Sequence, residues 1–73
     1  MIEDIKKRLS EEIKKSGISQ TKIAKEIGIT QSAIAQYVMQ ITAPNLETLA
    51  KLCSYLDLDA NYILCITNYA GEK

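Results

Sequence analysis

The stretch Ser19–Tyr37, "SQTKIAKEIGITQSAIAQY", decides the reading of this chain. Its charges, Lys22, Lys25 and Glu26, all precede Gly28, and from Gly28 to Tyr37 polarity comes only from uncharged side chains. Ser19 stands where a helix N-cap belongs, because a serine hydroxyl there accepts a backbone N–H of the first turn. Ile18 before it and Ile23 inside the helix form a hydrophobic staple. Gly28 supplies the positive φ that stops this second helix near Ile27. The pattern then repeats, with Thr30 as cap and Ile29 and Ile34 as the matching staple. Only Gly28, Ile29 and Thr30 separate the two short helices, over about residues 19–38, so they are expected to cross steeply.

Reading outward, the apolar spacing predicts a first helix from about Ile2 to Ser16. Ile2, Ile5, Leu9 and Ile13 fall on one stripe, and Gly17 follows as a C-terminal cap. Beyond the motif, Pro44 and Asn45 announce a fourth helix over about Leu46–Leu56, expected to turn Leu46, Leu49, Leu52, Cys53 and Leu56 inward. Asp59 is expected to cap a short fifth helix through about Ile66. Residues 68–73 are expected to form a flexible tail. The fold class expected is all-α, a compact bundle of five short helices making one domain over residues 1–73.

Composition narrows the function. At 73 residues the chain builds one small core, and Gly and Pro are scarce while helix formers abound. No apolar run is long enough to span a membrane and no leader pattern opens the chain, so a cytoplasmic protein is expected. Nine basic residues balance nine acidic ones. The bases concentrate in the first third (Lys6, Lys7, Arg8, Lys14, Lys15, Lys22 and Lys25), whereas acids outnumber bases from Leu46 onward.

The chain has no histidine and no Gly-rich phosphate loop, so an enzyme is not expected, and neither is a cofactor or small-molecule ligand. Cys53 and Cys65 alone cannot build a zinc site, and no metal is expected. Cys53 reads as a small core hydrophobe. The helix after Thr30 is more informative. Ile34, Tyr37, Val38 and Ile41 share one arc of its wheel; Gln31, Ser32, Ala35, Gln36 and Met39 share the other. A glutamine amide donates and accepts at once, matching N6 and N7 of adenine, and Ser contacts several bases. Ala35 lets the helix approach a groove floor. The same residues also suit an ordinary solvated face; their place on the second helix of a tight pair favours readout.

Gln20 through Gln36, with Ala24, Gly28, Ile29 and Ile34 in register, resembles the helix-turn-helix of the lambda-repressor-like family, the Cro/cI or Xre-type regulators. "NLETLAKLCSYLDLDANYIL" (45–64) resembles the helices that follow it there. The resemblance covers about Ile5 to Leu64. It implies five helices, double-stranded operator DNA as partner, a recognition helix in the major groove and a twofold dimer. By position it implies base contacts from Gln31, Ser32, Ala35 and Gln36. It implies phosphate contacts from Gln20 and Thr21, and from Thr30 second to its cap. Ala24 and Gly28 hold the two helices close, and Tyr37 belongs to the core.

One departure stands out. Where the family often has Asn-Gly and then basic residues, this chain has Met39, Gln40, Ile41 and Thr42. The third helix is therefore expected to run longer with Ile41 inward, and Gln40, Thr42 and Asn45 to supply the phosphate contacts on that side.

The function these features imply is a sequence-specific transcriptional regulator, a repressor by occupancy, bound to a short palindromic operator as a homodimer. Tyr62, Ile63, Ile66 and Tyr69 are the dimer candidates, since they exceed what a small core covers. The rival is a protein-interaction module of antitoxin or anti-repressor type that keeps the fold with weak or no DNA binding.

Overall fold

The computed structural model describes residues 1–67, and all their regular structure is helical. The order is α1 (Ile2–Lys15), α2 (Gln20–Ile27), α3 (Gln31–Val38), α4 (Leu46–Leu56) and α5 (Ala60–Ile63). The tail from residue 68, and Tyr69 with it, lies outside the described residues.

Local chemistry starts four of the five helices. The Ser19 hydroxyl accepts from Lys22 N–H, Thr30 from Ala33 N–H, the Asn45 side chain from Thr48 N–H and the Asp59 carboxylate from Asn61 N–H. Each satisfies a first-turn donor that the helix itself leaves unpaired. α1 has no side-chain cap; it carries Glu3 and Asp4 in its first turn and Lys14 and Lys15 in its last, which complements the helix dipole. Gly17 and Gly28 take the positive φ values expected of them, 70° and 79°.

The core draws on every helix: Leu9 and Ile13 of α1, Ile23, Ala24 and Ile27 of α2, Ile34 and Tyr37 of α3, Leu49 and Leu52 of α4, and Ile63 of α5. α3 sits between α1 and α2, with α4 against α2 and α5 against α1. Ser10 is fully buried and donates its hydroxyl to the Val38 carbonyl at 2.5 Å, tying α1 to the last turn of α3. Arg8 adds a clasp, donating to the carbonyls of Tyr62 (2.7 Å) and Thr67 (2.9 Å) while its guanidinium lies 4.5 Å from the centre of the Tyr62 ring.

Three expectations are corrected. α3 does not run on: it ends at Val38, Gln40 turns left-handed (φ 63°), and Ile41 is exposed rather than packed inward. The Gln40 and Ile41 amides bond back to the carbonyls of Tyr37 and Gln36, the paired bonds of a Schellman stop, so the backbone closes without glycine. Leu46 and Ile2 are exposed because each lies in the first turn of its helix, outside the reach of the neighbouring elements. α5 is a single turn ending at Ile63, stopped by left-handed Cys65 with Ile66 N–H on the Asn61 carbonyl.

Cys53 is half-buried against the core; burial, and then the charge of Asp59, push its thiol pKa up, which suits a packing role.

A left-handed L-residue costs about 1–2 kcal/mol. Gln40→Gly is therefore expected to stabilise the fold by about 0.5–1 kcal/mol after the entropy glycine adds to the unfolded chain. Urea denaturation measures it, and an unchanged or lower midpoint contradicts the strain.

Candidate nucleic-acid interface

The turn around Gly28 builds this site. Gly28 and Ile29 both donate to the Ala24 carbonyl, at 2.9 and 3.0 Å, which halts α2 and turns the chain within three residues. Ile34 is fully buried against Ile23, Ala24 and Ile27. With that side of α3 committed to the core, the opposite side faces solvent.

Gln31, Ser32 and Gln36 are exposed and Ala35 is half-buried between them. The structure brings these four onto one outward face. Two long polar contacts arrange the amides. Gln31 Nε2 donates to Gln20 Oε1 at 3.5 Å, linking the starts of α3 and α2. Thr42 Oγ1 lies 3.5 Å from Gln36 Oε1, linking the turn after α3 to its outward face. Tyr37 points the other way into the core, and burial raises its hydroxyl pKa.

The flanking candidates also lie at the surface: Thr21, Thr30, Gln40, Thr42 and Asn45 are exposed and Gln20 is half-buried. Four of them already have partners within the chain, Gln20 with Gln31 and Thr42 with Gln36 among them. The Thr30 hydroxyl and the Asn45 side-chain oxygen accept the capping bonds, so what they can offer a phosphate is a donor, the Thr30 O–H and the Asn45 amide.

Between Ile27 and Leu46 the chain carries no charged residue, and the cations that flank this stretch have other neighbours. Lys22 lies 3.9 Å from Glu26. Lys25 lines an open groove between α2 and α4 with Lys51, Ser54 and Tyr55. Arg8 is held by the carbonyls of Tyr62 and Thr67. Sequence reading placed Arg8 among the polarising cations and missed its clasp, because no local pattern links residues 59 positions apart.

The dimer candidates separate. Ile63 is fully buried within its own chain and offers no surface, a correction to its expected role. Tyr62 is half-buried beneath Arg8, and Ile66 is 69% exposed. Among the described residues no helix is long and apolar enough to cross a membrane, and no acidic, Cys or His group is assembled for a metal ion.

A helix-turn-helix family model matches residues 9–63, which include all of α2 through α5. The chain belongs to this family, the Cro/C1-type, Xre-like regulators, in agreement with its lambda-repressor-like motif. The family is one of DNA-binding regulators and is not typically enzymatic. No curated protein and no solved structure matches the chain.

Proposed function

We propose that this chain is a sequence-specific transcriptional regulator, a repressor acting in the cytoplasm, that binds a short palindromic operator as a homodimer. α3 lies in the major groove, and Gln31, Ser32, Ala35 and Gln36 address base edges. Gln20, Thr21, Thr30, Gln40, Thr42 and Asn45 contact phosphates and set the register. Tyr62, Ile66 and Tyr69 supply the contact between copies. It works without cofactor or small-molecule ligand.

The observation that carries this reading is the uncharged, exposed amide-and-hydroxyl face of α3, on the second helix of a family motif that binds DNA. Glutamine amides and serine hydroxyls present donors and acceptors that pair with base edges in the major groove.

The rival, a protein-interaction module, draws on the exposed Met39 and Ile41 and on zero formal charge. Replacing both Gln31 and Ser32 by Ala separates the two. Each good base contact is worth about 1–3 kcal/mol, so the double variant is expected to lose at least tenfold in operator affinity. Its melting temperature should stay put, since both side chains are exposed and Ala favours helix. A full-affinity double variant contradicts readout by this face.

Salt gives an independent check. A protein with about six to ten cation–phosphate contacts loses about 10³–10⁵-fold in affinity between 50 and 200 mM salt. Amide and hydroxyl contacts release no counterions, so with no more than about two or three cation–phosphate contacts the loss here is expected to be about 30-fold or less. Fluorescence anisotropy over a salt series reads it, and a thousandfold loss would place cations at the interface that this account leaves out.

A further inference from the structure

The outward face of α3 does not end at Gln36. Met39 falls on the helical wheel between Ala35 and Gln36, one turn further along, and is 67% exposed. The Gln40 stop begins immediately after it, which fixes where the side chain emerges. From Ile27 to Leu46 the chain has no charged residue. This end of the face therefore sets a long, unbranched apolar side chain directly beside an amide.

The major-groove edge of thymine has the same composition. Its O4 accepts a hydrogen bond, and its 5-methyl group, on the adjacent carbon, is apolar. Gln36 is exposed, and the N–H₂ of its amide matches O4. Met39 matches the methyl, and a flexible, polarisable thioether adapts to such a contact. We propose that Met39 is a further specificity-determining residue, packing against the 5-methyl group of a thymine at or next to the base that Gln36 addresses. This rests on the DNA-binding reading above.

The test uses the full chain and an operator enriched from a random DNA pool. Each thymine in turn is replaced by deoxyuridine, which removes only the methyl group. Affinities are measured for the wild type, Met39→Ala and Met39→Leu. Burying one methyl group corresponds to about fourfold in affinity. At one thymine of each half-site, deoxyuridine is expected to weaken the wild type by about fourfold, and Met39→Ala by a similar factor on the unmodified operator. The two changes together should cost little more than either alone, and Met39→Leu should keep the methyl sensitivity. Losses that multiply independently at every thymine overturn the proposal. So does a Met39→Ala loss explained by a weakened dimer in sedimentation, which would assign the side chain to a second copy. A wild type that enriches no sequence overturns the DNA reading and this proposal with it, so the two failures are told apart.

Discussion

Everything outward-facing in this molecule depends on the packing of α3 against α2 across the Gly28 turn. One carbonyl, that of Ala24, receives the amides of both Gly28 and Ile29, and Ala24 itself is nearly fully buried. A larger residue at Ala24 would hold the helices apart, and an L-residue at Gly28 would carry the left-handed penalty of about 1–2 kcal/mol. A Cβ at Gly28 would meet nothing within 4 Å, so the requirement there is conformational and not steric. Once Ile23, Ile27 and Ile34 close around this junction, the rotation of α3 is set, and so is the direction of Gln31, Ser32 and Gln36.

The legible parts of the fold are those written in local chemistry. Ser19, Thr30, Asn45 and Asp59 cap helices because their short polar side chains reach a nearby N–H, and Gly17 and Gly28 turn left-handed because glycine does so without penalty. Gln40 and Cys65 also take positive φ, and nothing in their side chains announces it, whereas Asp57, left-handed too, is of a residue type that favours that conformation. At Gln40 and Cys65 the turns are closed by backbone bonds that any residue type can make, so the stop after Val38 and the shortness of α5 leave no side-chain signal in the sequence. A helical wheel reports the angle of a residue, not its depth along the axis. Ile2 and Leu46 have core angles but sit where no neighbouring element reaches them.

The candidate site was legible for a different reason: its residues are successive positions of one helix, and their common face follows from the wheel. Its electrostatics were less so. Arg8, counted by composition among the free cations, spends its charge on the chain's own carbonyls and on the Tyr62 ring. Composition records how many charges there are; packing decides which of them a partner meets. The same distinction applies to Ile63, apolar enough for an interface yet wholly used by the core. On the proposed reading, discrimination comes from amides, a hydroxyl and apolar contact on α3.

Selection of bound sequences from a random DNA pool tests most directly the claim that this face reads bases as one half of a twofold pair. The expected result is enrichment of a short sequence with two inverted halves whose centres lie about 34 Å apart, one turn of the duplex. A folded protein that enriches no sequence, or only an asymmetric one, would contradict it.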